Sequence, residues 1–273
     1  MITWKQPLPG YEWLIHQIWY LEVPPEETLD SQPKLIPNPR AHIILSPSAQ
    51  PYHYVGNKEQ YVGYGCHLLT TSEQLLTLEE QVPLKRIGIT LKPDALYLLT
   101  KGASIETNQI TWFPWLNDIL ATDFINGLLT SSCQQEIVDA LSTTFSKLDL
   151  STYQDQAYRL SHKAISLVEN TANPIEIDEL ANHCACSRRT LERSFKTVTG
   201  LTLKKFLTMR NLENMVLALY QNDKPIDWAS FSQQFGFSDQ SHLIRQLKQQ
   251  LKKTPAGYLK NRDLTIDIYG DFE

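Results

Sequence analysis

Two strings in the last third of the chain bring guanidinium, amide and hydroxyl groups together at helical spacing. The first is Ser187-Arg188-Arg189-Thr190-Leu191-Glu192-Arg193; the second is Ser238-Asp239-Gln240-Ser241-His242-Leu243-Ile244-Arg245. Leu191, Phe195 and Val198 repeat at a period that buries one face of a helix and leaves Arg188, Arg189, Glu192 and Arg193 on the other. Leu243, Leu247 and Leu251 do the same and leave Asp239, Gln240, His242, Arg245 and Gln249 outside. Arginine can donate a bidentate pair to guanine, and glutamine can do so to adenine. Ser, Thr and Lys at helix ends suit phosphate oxygens. A plain helical bundle with a solvated charged face is the competing reading.

The elements around these strings repeat. Leu191, Arg193, Phe195, Lys196, Thr202 and Phe206 recur as Leu243, Arg245, Leu247, Lys248, Thr254 and Tyr258, 52 residues on. Leu180-Ala181 maps to Phe231-Ser232 at 51, so the second turn has gained a residue. Each unit reads as helix, tight turn, helix. Ala185-Cys186 makes the first turn, and Ser187 caps the second helix of that unit, its hydroxyl accepting from an orphan backbone N–H. Gly236 supplies a left-handed turn residue in the second unit, and Ser238 or Asp239 caps the helix after it. The small residues Ala181 and Ser232 stand where two helices joined by so short a turn must cross closely.

These residues resemble the AraC/XylS family. Ser187 to Lys196, followed by Gly200, is similar to its first recognition helix. Gly236 to Arg245, followed by Thr254-Pro255 and Tyr258, is similar to its second-unit signature. The resemblance covers about residues 158–260. Asp227-Trp228-Ala229 and the string Ile87 to Pro93 resemble a subgroup with its own N-terminal domain. The resemblance implies seven helices, a long one over Lys204–Tyr220 joining the units, and one helix of each unit in adjacent major-groove steps. It maps base contacts onto Arg189, Glu192 and Arg193, and onto Gln240, Ser241 and Arg245, with Arg188 and His242 as secondary positions. It implies double-stranded DNA and RNA polymerase as partners and activation as the commoner outcome. Lys252 stands where the family usually has Gly, Leu247 and Leu251 replace common Phe residues, and Leu203 replaces a common Pro.

Charge agrees with this division. Residues 1–154 carry nine Lys+Arg and sixteen Asp+Glu, residues 155–262 carry sixteen and ten, and 263–273 carry four acids and no base. Such asymmetry points to a nucleic-acid-facing segment attached to one that is not. The expected class is α+β. Residues 1–150 form a β-rich barrel or sandwich with helices, for binding an effector or dimerising. Residues 155–262 form an all-α DNA-binding domain, and 263–273 an acidic tail.

Strands are expected over Trp13–Leu21, Ala41–Leu45, Tyr52–Val55, Gln60–Tyr64, Leu75–Leu78 and Arg86–Leu91, cut by prolines. Helices are expected after Pro93, over Trp115–Leu129 and over Gln134–Leu148. Breaks fall at Asn173-Pro174 and Asp223–Pro225.

Other constellations carry less. Cys184-x-Cys186 lacks a third and fourth ligand at metal spacing and reads as packing. His16, His42, His53 and His67 lie in the β-rich half without the His-x-His and following Glu of a cupin metal site. The aromatic residues Trp13, Trp19, Tyr20, Tyr52, Tyr54, Tyr61 and Tyr64 fit a small-molecule pocket or an ordinary core equally well. No Gly-rich phosphate loop, Gly-x-Ser-x-Gly elbow or His-Glu-x-x-His occurs. Catalytic residues, metal and cofactor are therefore expected to be absent. No signal peptide and no membrane span are visible, and a cytoplasmic regulator is expected. The rivals are a DNA-targeted enzyme with a catalytic β-barrel and an interaction protein that has lost DNA binding.

Overall fold

Short alternating segments and proline stops build the first half. The computed structural model describes residues 1–28, 32–57, 60–171, 174–221 and 225–268. Strands β1 (Ile2–Gln6), β2 (Ile15–Val23), β4 (His42–Leu45), β7 (His67–Leu69), β9 (Leu84–Leu91) and β10 (Ile110–Thr111) form one sheet in the order β1-β2-β9-β4-β7-β10. Strands β3 (Lys34–Leu35), β5 (Tyr52–Val55), β6 (Gln60–Gly63) and β8 (Leu76–Glu79) form a second, in the order β3-β8-β5-β6. The pairings within both sheets are antiparallel. Tyr54 of one sheet meets His67 of the other, hydroxyl to Nε2, at 2.8 Å. Of the two arrangements expected, this is the sandwich; the described strands close no barrel.

Helices α1 (Ala95–Leu99), α2 (Leu116–Ile119), α3 (Thr122–Thr130) and α4 (Gln134–Phe145) cover the outer face of the larger sheet. There Ile18, Tyr20, Ile43, Leu45, Ile87 and Ile89 pack with Leu116, Ile125, Ile137 and Leu141. Both faces of β4 and β9 are thus covered. That is why these strands are buried almost end to end rather than at alternate positions. The single helix expected over Trp115–Leu129 is two, because Leu120 leaves helical geometry (φ −118°, ψ 70°) and turns into the core.

The second half is helical: α5 (Gln156–Asn170), α6 (Ile177–His183), α7 (Arg188–Thr199), α8 (Leu203–Tyr220), α9 (Trp228–Gln234), α10 (Gln240–Leu251) and α11 (Pro255–Asn261), followed by α12 (Thr265–Ile268). α5 to α11 are the seven helices that the resemblance implies. The expected breaks at Asn173 and at Asp223 fall on positions outside the described residues. Of the expected acidic tail, 269–273 also lie outside them. Residues 263–266 do not trail from the helical half: Lys34 N donates to Asp263 O at 3.0 Å, and Leu264 and Ile266 are buried.

The halves are tied by ions as well as by apolar contact. Buried Arg40 pairs with Glu213 of α8 at 2.8 Å and lies 3.8 Å from Glu169 of α5, which also pairs with Lys92 at 2.8 Å. Burial disfavours the Glu213 carboxylate, but Arg40 and Arg210 outweigh it and hold its pKa down to about 2.

Candidate nucleic-acid interface

Each helix-turn-helix unit is closed by the same backbone device. In the first, Cys186 N donates to Ala181 O at 3.1 Å and Ala185 N to Asn182 O at 3.0 Å. In the second, Phe237 N donates to Ser232 O at 2.9 Å and Gly236 N to Gln233 O at 3.1 Å. These are paired Schellman turns, each around a left-handed residue, with φ 52° at Ala185 and 75° at Gly236. The Ser187 hydroxyl then accepts from Thr190 N and starts α7. In the second unit Asp239 is the cap, accepting from His242 N at 2.8 Å, and that bond holds its carboxyl below the usual range. The extra residue of the second turn is spent between Phe237 and that cap.

The periodicity sorts side chains as expected. Leu191, Phe195 and Val198 of α7 are buried, as are Leu243, Leu247 and Leu251 of α10. Arg188, Arg189 and Arg193 are exposed and Glu192 is half-exposed. Gln240, Ser241, His242 and Arg245 are exposed. Ala181 and Ser232 are both buried at the helix crossing.

Arg188 pairs with Asp178 at 3.2 Å and with Glu192 at 3.1 Å. Exposed pairs of this kind contribute little, so a phosphate or a base edge can displace them. Arg189 and Arg193 have no ion-pair partner among the described residues. Arg245 reaches back to Ser241 O, at 3.4 Å.

Both units open on one cleft of about 490 Å³ between them, bordered by Arg188 of α7 and by His242 and Gln246 of α10. The long helix α8 lines it with Lys204, Arg210, Asn211 and Asn214. Among the described residues its walls hold Arg188, Lys204 and Arg210 and one acid, Glu176. Arg210 is engaged by Glu213, whereas the exposed pairs of Arg188 can exchange and Lys204 has no ion-pair partner among the described residues, which suits an anionic polymer. Pattern alone does not pick out Lys204, Asn211 and Gln246, since a cleft between helices from separate units has no local period. The one sequence cue is the position of Lys204 in the first turn of the helix that joins the two units.

Elsewhere the candidates separate. Cys184 is buried against Leu160 O and Cys186 is half-buried. Among the described residues, no three His, Cys, Asp or Glu side chains are grouped to share a metal ion. Tyr52 and Tyr54 are core residues, whereas Trp13 and Tyr64 are exposed. No described helix is long and apolar enough to cross a membrane.

Comparison with known proteins agrees with this geometry. The profile of a helix-turn-helix domain matches residues 180–261. The transcriptional regulator Rob of Salmonella typhimurium is 29% identical over 109 residues, which are 40% of this chain and 37% of that protein. The right origin-binding protein of Escherichia coli is 30% identical over 107 residues, 39% of this chain and 36% of that one. The chain therefore spans a little over a third of the length of these relatives. Among solved structures, ToxT of Vibrio cholerae matches with a TM-score of 0.50 at 12% identity, covering 97% of this chain and 100% of that one, a likeness of fold alone. Residues 180–261 are thus a helix-turn-helix domain of the AraC type, within the stretch that carries the two signature strings.

Proposed function

We propose that the chain is a sequence-specific DNA-binding transcription regulator that reads two adjacent major-groove steps, with activation the commoner outcome. One observation carries this reading: the exposed first turns of α7 and α10 border the same cation-lined cleft, so one duplex can meet both. The names of the relatives, a transcriptional regulator and an origin-binding protein, point the same way for the matched third. Arg189, Glu192 and Arg193 read bases from α7, and Gln240, Ser241 and Arg245 from α10. Arg188 and His242 are placed for the edges of the contact, and Lys204 for phosphate.

In this reading residues 1–150 are the sensing or dimerising part and 155–262 the DNA-binding part. A small-molecule effector acts by favouring one relative placement of the two. RNA polymerase is the partner through which activation is exerted, and a homodimer in the cytoplasm is the working assembly.

Selection of bound sequences from a random duplex pool by the full chain tests the reading. A single enriched site with two half-elements about one helical turn apart is expected. Arg193→Ala should weaken binding to that site by roughly 5- to 150-fold and relax preference at one position. Affinity should fall steeply with salt because phosphate contacts release counterions. A chain that enriches no sequence at low salt is an interaction protein instead.

A further inference from the structure

Between the two sheets lies a cavity of about 30 Å³, walled by Trp19, His42 and Ile44 from one sheet, Tyr52 and Leu78 from the other, and Thr265. Room on that scale holds a water molecule or two and nothing larger. Thr265 belongs to neither sheet; it arrives from the C-terminal end of the helical half. The hydrogen-bond network around His42 assigns its tautomer. Trp19 Nε1 donates to Thr90 Oγ1 at 3.2 Å, and His42 Nδ1 lies 3.1 Å from the same oxygen. The one hydroxyl proton of Thr90 is best used toward Nδ1, which leaves the ring proton on Nε2. That Nε2 is buried without a partner. Burial, and then Arg40, push the ring's pKa down to about 3, so it presents a neutral N–H donor.

We propose that the space between the sheets is a binding site for a small uncharged molecule with an apolar body and one hydrogen-bond acceptor, and that residues 263–266 are its plug. The acceptor meets His42 Nε2, and the body takes the place of Thr265. A ligand larger than water enters only when the plug leaves.

The anchoring of the plug makes this consequential. The Asp263 carboxylate bridges Lys253 of the helical half, at 2.7 Å, and Lys34 of the β-rich half. Burial opposes the charged form there, but the hydrogen bonds from Lys253 and Lys34 prevail and hold the carboxyl below its usual range. Leu264 and Ile266 pack in one cluster with Leu251 and Tyr258 of the second unit and with Ile36 and Leu75 of the β-rich half. Withdrawing the plug therefore loosens the second unit from the sandwich. Ligand entry and that loosening are coupled by the same free energy in both directions. The regulatory consequence rests on the regulator reading; the site and its plug do not.

The test uses two probes of like shape, acetophenone with a carbonyl acceptor and ethylbenzene without one. Each is titrated by calorimetry into the intact chain, into a chain ending at Arg262 and into that shortened chain carrying His42→Phe, with no DNA present. The shortened chain is expected to bind acetophenone at least 10-fold more tightly than the intact one. It should prefer acetophenone to ethylbenzene, and His42→Phe should remove that preference. In the intact chain, saturating acetophenone should speed amide exchange at 264–266. Equal affinity with and without the plug, no binding by the shortened chain, or a preference that survives His42→Phe overturns the proposal. If the shortened chain does not fold, unchanged exchange at 264–266 under acetophenone overturns it instead. A chain that selects no DNA sequence sinks the regulator reading and leaves this result standing.

Discussion

The first recognition helix, α7, ends on Gly200 at φ 74°; the second, α10, ends on Lys252 at φ 57°. Both positions need left-handed backbone, yet only one needs glycine for a second reason. A Cβ on Gly200 would stand 2.8 Å from the Ile105 carbonyl oxygen of the β-rich half. Lys252 is exposed and lines the edge of a cleft. The first unit is thus seated on the sandwich half by backbone approach, with Val198 sunk into that half's own core. The second is held through the side chains of Ile36 and Leu75, the Asp263 bridge and the backbone bond from Lys34 N to Asp263 O just beyond α11. Where the units differ is in attachment rather than in plan. The helix between them, α8, carries Glu213 to Arg40 and fixes the common frame.

The largest test of that comparison removes the frame. Arg40→Ala leaves the Glu213 carboxylate buried with Arg210 as its remaining close cation, and truncating one partner of a buried pair costs about 3–5 kcal/mol. Urea unfolding should show a loss of that size, while Arg40→Met combined with Glu213→Leu should recover most of it. A single substitution costing under about 1 kcal/mol would mean that α8 is not held through this pair.

Next in size is acid, which should act on the sandwich. Burial, helped by Arg40, lowers the pKa of His42 to about 3. Burial, against a hydrogen bond to Gly65, lowers that of His67 to about 4. The unfolded chain protonates both rings near 6.5, so between 6.5 and 4 it binds more protons than the folded chain. Burial and Arg40 lower the pKa of His16 to about 3 as well, so stability falls as pH falls, by about 1.4 kcal/mol per ring one unit below the unfolded value, roughly 4 kcal/mol at pH 5.5 for the three. His162 in α5 runs the other way. Its hydrogen bond to Asp94 raises its pKa, so its contribution is full below 6.5 and fades as pH rises through the folded value. Thermal melts at pH 7.5, 6.5 and 5.5 should fall together with β-rich protection, and His67→Phe should flatten the slope. A melting temperature unchanged over that range would show that these rings are charged or exposed.

The contrast between the units is partly legible in the sequence. Ser187, Gly236 and the 52-residue offset are local signals, and they place both turns and both exposed faces. The strands β2, β4, β5, β6, β8 and β9 lie near their expected segments because burial on at least one face gives them a pattern. β1 lacks one: its residues are exposed or half-buried, and it forms a sheet edge. β7 and β10 have three and two residues, too few for a period to show. Arg40 sits among prolines with its partner 173 residues away, and no local rule joins them. The 263–273 segment reads as solvated because of its four acids. Leu264 and Ile266 are buried because Lys34 and Lys253 neutralise the charge beside them, a fact only the fold supplies.

Glycine-to-alanine substitutions sharpen the comparison at smaller scale. Gly200→Ala carries both a left-handed alanine and a contact with a backbone carbonyl, about 2–3 kcal/mol in all. Gly236→Ala meets only the Pro174 ring, at 3.2 Å, and should cost about 1 kcal/mol. Equal costs in chemical unfolding would remove the argument that the first unit is seated by backbone approach.

The smallest effect is at Lys252. Lysine in left-handed backbone loses about 1 kcal/mol relative to glycine, and the freer unfolded chain of a glycine variant takes back about half. Lys252→Gly should therefore stabilise by about 0.5 kcal/mol and raise the melting temperature by about 1 °C. Its DNA behaviour separates two roles for that side chain. If the lysine serves only as an awkward turn residue, the dependence of affinity on salt stays as it was. If it touches a phosphate, the logarithmic salt slope falls by about 1 while the stability gain remains. A variant that melts lower than the parent would show that Lys252 makes a stabilising contact, and that α10 is closed by more than backbone geometry.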